Sequence, residues 1–254
     1  MQAFTIRETS DLERVAARFW PTLDERSLGG WRIRFAKGVT RRANSVLALA
    51  SPGCDVDIAI ERAQQMYSAR GLPTYFQMTQ ASLPRSLDTR LAERGYAKEM
   101  RVYVEVSELR PISHVESDVR ILIEDAPTDM WIDCYTRGGG YSDHQMQVRL
   151  DIISRCRESK CMATAFFGDQ AVGIGLGVTD GQWLGLFSII TLPGYRRRGV
   201  AESVSSNLAA WAQSKGATHA FLQVETDNMP ARALYDGMGF EIAYEYWYRL
   251  LQTI

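Results

Sequence analysis

Arg196-Arg197-Arg198-Gly199 stands between two differently patterned stretches of the chain. Residues 184–191 form a run of strand-favouring apolar side chains, and Pro193-Gly194 marks a turn. From there Val200, Val204, Leu208 and Trp211 take helical spacing. A strand, a glycine turn and a helix start in that order make a phosphate site. Unpaired N–H groups and the positive end of the helix dipole converge there. Gly199 lacks the side chain that would hold a phosphate away from those amides. The amides of Arg198, Gly199, Val200 and Ala201 can grip a pyrophosphate, in a turn that ends at Glu202. Arg196 or Arg197 can meet a further phosphate, although a solvated basic turn would explain those side chains equally well.

A second group follows. Asn228 and Tyr235 are seven residues apart, which on one helix brings them to nearly the same azimuth, about 10 Å apart along the axis. Ala231 between them leaves room for a ligand. Tyrosine is neutral at pH 7, with an ordinary pKa of about 10, so the Tyr235 O–H can serve as a general acid. The plainer alternative is a helix-face tyrosine packed on a sheet. A base is harder to find: Gln223 cannot take a proton, and Glu225, Asp227 and His219 all suit ordinary surface positions. Gly173-x-Gly175-x-Gly177 imitates a nucleotide fingerprint, but it lies within a strand pattern that leads to a hairpin rather than a helix. Cys54, Cys134, Cys156 and Cys161 show no paired spacing and the three histidines are scattered, so no metal site is expected.

The elements that must position these residues can be read from the pattern. The chain has 254 residues, 46% hydrophobic and 23% charged, which suits an ordinary globular protein near the size where cores divide. A net charge of −1 gives no general attraction to nucleic acid or anionic lipid. The N-terminal stretch is charged throughout, and no apolar run is long enough to span a bilayer, so a cytoplasmic protein is expected. In the first half the pattern predicts a short strand at residues 4–6 and a capping box at Ser10-Asp11-Leu12-Glu13 opening a helix to Phe19. Strands at 31–35 and 45–50, a helix at 57–70, a strand at 75–79, a helix at 87–94 and a strand at 102–106 follow. In the second half, a strand at 120–124 precedes a helix at 129–137. A flexible triglycine loop carrying Tyr141 comes next, then a capping box at Ser142–Gln145 that opens another helix. Strands at 162–167, 172–178 and 183–191, a helix from Val200 to Gly216, a strand at 221–224, a helix at 230–238 and a strand at 240–250 complete it.

Gly239-Phe240 falls 144 residues after Gly95-Tyr96, each pair closing a helix at the same place in the element order. The chain therefore reads as an internal duplication, with domains at 1–112 and 116–254 and a linker at 110–117. The first copy carries Asp55 and Asp57 where the second has its glycine and helix start, so its phosphate cradle is spoiled. The residue matching Tyr235 there is Leu91, which donates no proton. Tyr244, Tyr246, Trp247 and Tyr248 could wall an acceptor cleft, though aromatic residues of a strand more often simply pack.

Arg196-x-x-Gly199-x-Ala201 after Ile189-Ile190-Thr191 resembles the acyl-CoA-binding motif of the GCN5-related N-acetyltransferases. Asn228-x-x-Ala231-x-x-x-Tyr235-x-x-x-Gly239-Phe240 resembles the second signature of the same family, and the likeness runs in order from Arg120 to Leu250. The resemblance implies an α/β fold of two tandem units, each a mixed, mostly antiparallel sheet flanked by helices. It implies acetyl-CoA as co-substrate, no metal, and a small-molecule or peptide amine as acceptor, with neither nucleic acid nor membrane as partner. Ile189, Ile190 and Thr191 would then lie beside the pantetheine arm, where one backbone N–H polarises the thioester carbonyl. Tyr235 would protonate the departing thiolate. Tyr141 and Glu225 would face the acceptor. Some relatives carry a glutamate at the position of Gln223, and its absence here keeps a rival reading open, a non-catalytic acyl-CoA sensor.

Overall fold

The computed structural model describes residues 4–109 and 118–251; the linker expected at 110–117 and both domain boundaries lie outside the described residues. The first half contains α1 (Ile6–Phe19), β1 (Asp24–Leu28), β2 (Trp31–Phe35), β3 (Val46–Leu47), α2 (Val56–Ser68), β4 (Thr74–Thr79), α3 (Leu87–Glu93) and β5 (Ala97–Glu108). The second contains β6 (Arg120–Glu124), α4 (Asp129–Gly139), α5 (Asp143–Arg155), β7 (Ser159–Phe167), β8 (Gln170–Thr179) and β9 (Trp183–Thr191). It continues with α6 (Val200–Ser214), β10 (His219–Glu225), α7 (Met229–Gly237) and β11 (Glu241–Leu251). Two expectations near the N-terminus fail. Thr5 caps α1 and exchanges bonds with Glu8, so residues 4–6 form no strand and the box is not at Ser10. Starting the helix earlier leaves Glu13 in its interior, where the side chain is buried and takes hydrogen bonds from Tyr244 and Gln77. β1 escaped the pattern because it is a largely exposed edge strand of charged residues.

All eleven strands join one sheet in the order β1-β2-β3-β4-β11-β5-β10-β9-β8-β7-β6. The halves are interlocked at its centre. β4-α3-β5 is a crossover between two strands that run the same way, and β11 fills the slot between them, antiparallel to both. β10-α7-β11 leaves the equivalent slot, which β5 fills. Each half thus finishes by inserting its last strand into the sheet of the other. α1, α4 and α5 cover one face over a core that includes Phe19, Trp131, Tyr135, Phe187 and Phe221. α6 and α7 cover the reverse face of the second half, and α2 and α3 that of the first.

The glycines of β8 belong to packing. A Cβ on Gly173 would lie 2.5 Å from Val200, one on Gly175 2.5 Å from Val204, and one on Gly177 3.1 Å from Leu208. The stripe lets α6 rest directly on the sheet and holds its N-terminal end at a fixed height above β9. Gly175→Val would overpack this contact at a cost of about 1–3 kcal/mol. The expected result is a melting temperature lower by about 5 °C or more in thermal denaturation. An unchanged midpoint would show that α6 does not depend on the stripe.

Candidate functional site

α6 begins without a cap. Its N-cap is Gly199, in a left-handed conformation with φ 75°, which brings no side chain to cap the helix. Arg197 is left-handed too, with φ 57°, and a Cβ built on Gly199 would meet nothing within 4 Å. Left-handed residues alternating with others are the geometry on which anion-binding backbone nests are built. Among the described residues, the first amide of this helix with a backbone partner is that of Ser203, which donates to the Gly199 carbonyl. The amides of residues 197–202 precede it, at the positive end of the dipole. Arg196, Arg197 and Arg198 are exposed, and Arg198 lies 4.1 Å over the Phe167 ring. The matching helix of the first half is closed off: the Asp55 carboxylate caps α2, taking the amides of Asp57 and Ile58 at 2.9 and 3.3 Å. Pro52 also presses on Gly29, where a Cβ would sit 2.0 Å from its carbonyl oxygen. A carboxylate fills the first cradle, whereas the second presents open space at Gly199.

Beside the uncapped helix the sheet opens. β9 and β10 are parallel but pair only from Trp183–His219 to Gly185–Phe221. Beyond Gly185, β9 stays with β8 as far as Thr191, while β10 stays with β5 as far as Glu225. A register shift at Ser188, whose φ is 52°, bends β9 away at this point. Ile189 turns toward α6 and Ile190 toward α4, where a Cβ on Gly138 would come within 2.3 Å of it. The hydroxyl of Thr191 is buried without a partner, and so are both carboxamide atoms of Gln223 on the other side of the opening. A cavity of about 590 Å³ lies between α6 and the turn from α7 to β11, lined by Leu186, Ala220 and Phe240, by Glu202, Ser205 and Ala209 of α6, and by Ser107 at the end of β5. That volume is within the range of small-ligand sites. A larger recess of about 830 Å³ lies between β1, β2 and α5, but Arg70–Asp24 and Lys37–Asp151 already neutralise most of its charge. We read the larger recess as a seam.

Asn228 and Tyr235 share α7, in different roles. Asn228 is the N-cap, its Oδ1 accepting the Ala231 amide at 3.3 Å. Tyr235 is buried against Phe240, and its pKa is pushed well up by burial and then by the field of Glu105 on β5, opposed only by the neighbouring Ser205 hydroxyl. That serine still lacks a well-formed hydrogen bond. Ser205 lines the cavity and Tyr235 sits directly behind it. Among the base candidates, Glu225 and Asp227 are exposed at the end of β10. His219 lies at the other end of that strand, tilted against the Trp183 ring and bonded to Thr218, away from the opening.

The triglycine stretch is no flexible loop. Gly138 and Gly139 end α4 and Gly140 is its left-handed cap. Tyr141 folds back so closely that a Cβ on Gly139 would lie 2.1 Å from its ring. Tyr141 packs edge-on against Tyr135 at 5.4 Å, and Ser188 donates to the Tyr135 hydroxyl at 2.7 Å. Tyr141 therefore stands on the face of the opening opposite α6. Tyr135, Ser188 and Arg149, which stacks on Tyr141 at 3.7 Å, complete this wall. No motif singles them out.

A family model described as "Probable histone acetyltransferase Rv0428c C-terminal" matches residues 5–249. An uncharacterized N-acetyltransferase, YobR of Bacillus subtilis, is 32% identical over 94% of this chain and 97% of its own. A GCN5-related N-acetyltransferase from Kribbella flavida superposes with a TM-score of 0.70 at 13% identity, covering 100% of this chain and 98% of that one. The chain belongs to the GCN5-related N-acetyltransferases. It is an acyltransferase, and its two α/β units place it with the tandem members of that family. A tandem protein from the clavulanic acid biosynthesis pathway shares the fold with a TM-score of 0.61 at 10% identity, over 77% of this chain and 69% of that one. The probable histone acetyltransferase Rv0428c of Mycobacterium tuberculosis is 26% identical over 96% of this chain and 74% of its own. Among the described residues no group of three or more His, Cys, Asp or Glu could hold a metal ion, and no helix is long and apolar enough to cross a membrane.

Proposed function

We propose that this acetyltransferase uses acetyl-CoA to acetylate a primary amine of a small molecule or peptide, by direct attack of the neutral amine. The observation that carries the reading is the parting of β9 from β10 beside a helix N-terminus whose cap residue is a left-handed glycine. The residues fit a phosphate-bearing thioester: open space at Gly199, amides of residues 197–202 without a backbone partner among the described residues, and an orphaned Thr191 hydroxyl along the strand. Acetyl-CoA would supply an acyl group already activated for transfer. The amides of residues 198–201, in the turn ending at Glu202, would hold its diphosphate, with Arg196 or Arg197 on a remaining phosphate. Ile189, Ile190 and Thr191 would align the pantetheine arm by backbone hydrogen bonds. Asn228 would fix the start of α7, and Ala231 would leave the room that the arm needs. Tyr235 would donate its proton toward the leaving sulfur. No carboxylate takes the place of Gln223, so an amine of low pKa, such as an α-amino group near 8, would need least help in losing its proton.

Calorimetry with acetyl-CoA on the natural protein and on Gly199→Val tests this. The variant puts a branched side chain at a left-handed position in the mouth of the cradle, and an affinity loss of about 10²-fold is expected. Equal affinity would remove the turn from the binding site. Release of CoA thiol with a panel of amines tests the transfer itself, and tight binding without turnover on any amine would count against it.

A further inference from the structure

The wall opposite α6 carries two guanidinium groups that form no ion pair among the described residues. Arg42 comes from the short 3-10 turn Arg41–Ala43 of the first half, and lies 5.6 Å over Phe187 and 6.0 Å over Trp20. Arg149 comes from α5 of the second half; it lies 3.7 Å over Tyr141 and donates to the Tyr135 hydroxyl at a long 3.5 Å. Its Nε is buried with no partner. Both residues are half-buried. Elsewhere several half-buried arginines are paired, Arg32 with Glu25, Arg94 with Asp57 and Arg249 with Asp88, whereas Arg232 over Tyr103 and the buried Arg34 rely on neutral partners. Among the described residues neither Arg42 nor Arg149 has a carboxylate within ion-pair distance. Glu13 lies in the field of Arg42, but its two oxygens are engaged by Tyr244 at 2.9 Å and Gln77 at 2.7 Å.

The two cations flank one point of the backbone. Arg42 covers the ring of Phe187, and Arg149 reaches the tyrosine that accepts the hydroxyl of Ser188, the next residue. Phe187 and Ser188 are where β9 bends away from β10. A half-buried guanidinium gives up water, and aromatic stacking returns only part of that loss. Its planar fork matches a carboxylate or a phosphate. Resting on the acyl-transfer reading above, we infer that the acceptor amine also carries an anionic group, and that Arg42 and Arg149 hold it while the amine faces the opening. The orphaned carboxamide of Gln223 borders the same opening and is free to bind the uncharged remainder of the acceptor. The first half thereby contributes a recognition residue to the site of the second. A lysine-rich peptide would meet repulsion on this wall.

The test compares amines with and without the anion, with rates taken per neutral amine so that their different amine pKa values drop out. Free amino acids and O-phosphoethanolamine are assayed by thiol release against amino-acid amides and ethanolamine, with a lysine-rich peptide as a further arm. The expected result is a kcat/KM about 10²-fold higher for the anionic members, expressed mainly in KM. The better of carboxylate and phosphate names the source of the charge. In R42Q/R149Q that preference collapses while acetyl-CoA affinity and melting temperature stay unchanged, and R42K/R149K recovers part of it. Equal use of charged and neutral amines, a preference for the lysine-rich peptide, or a double variant that keeps the preference would overturn the inference and leave acyl transfer standing. If no amine is turned over although acetyl-CoA binds, acyl transfer fails instead, and calorimetry with the same compounds still decides. Anion-dependent binding lost in R42Q/R149Q sustains the wall as an anion site. Binding that ignores the anion, or no binding, overturns it.

Discussion

Tyr235→Phe is expected to lower kcat by about 10²-fold or more while leaving the affinity for acetyl-CoA as it was. A loss of that size is about 2.7 kcal/mol of transition-state stabilisation, which is what removing one well-placed proton donor costs. Burial and the field of Glu105 both push the Tyr235 pKa above its ordinary value. The direction matters for pH. A phenol whose pKa is raised stays protonated through the whole neutral range and beyond, so Tyr235 imposes no alkaline loss of activity below about pH 10. Activity should rise with pH as the acceptor amine loses its proton and then level off. Phenylalanine fills the same space against Phe240 and leaves only Ser205 without its neighbour, so the fold should persist. Steady-state kinetics separate the roles: a drop in kcat alone marks a proton donor, and a change in binding alone marks a packing residue. Unchanged turnover would take Tyr235 out of the mechanism.

Much of the local geometry of the candidate site is legible because it is local in sequence. The turn from Arg196 to Ala201 sits between a strand and a helix that each announce themselves by periodicity, and Gly199 does adopt the left-handed conformation that its type invites. Asn228, Ala231 and Tyr235 lie within one short helix, so their spacing carried over directly. The opposite wall was not legible. Arg42 and Arg149 meet the same strand from different halves of the chain, and no spacing rule links positions that far apart. The positive φ of Ser188 arises where β9 leaves its neighbour, a tertiary event with no local signature. Tyr141 was placed on the acceptor side by its position in the family layout, and it does stand opposite α6, but as the packed end of a helix rather than in a mobile loop. The duplication was visible in the element order, whereas the way the copies are joined was not. Strand order is a property of pairing, and β5 and β11 look in sequence like the last strands of separate sheets.

That interlocking leads to an expected result for the truncated chain. Removing residues 1–112 takes β5 from between β10 and β11, and β4 from the other side of β11. β11 then has no neighbour at all, because its partners are β4 and β5 alone. β10 loses a partner along its whole length, from His219 to Glu225. Closing onto β11 would require a new parallel pairing across a slot one strand wide that α7 spans. The face beneath α4 also loses Phe19 and Trp20, which stack on Phe221 and Phe187 beside the opening. Two unpaired edges and exposed aromatic rings at the wall of the site predict aggregation rather than a smaller enzyme. The fragment should be insoluble or lack cooperative unfolding, with no measurable affinity for acetyl-CoA by calorimetry. Supplying residues 1–112 as a separate chain during expression should restore binding, because β5 can pair from another molecule as well as from its own. A soluble fragment that unfolds cooperatively and binds acetyl-CoA with full affinity would show that the second half closes its own sheet. The exchanged strands would then be a consequence of duplication and not a condition of the site.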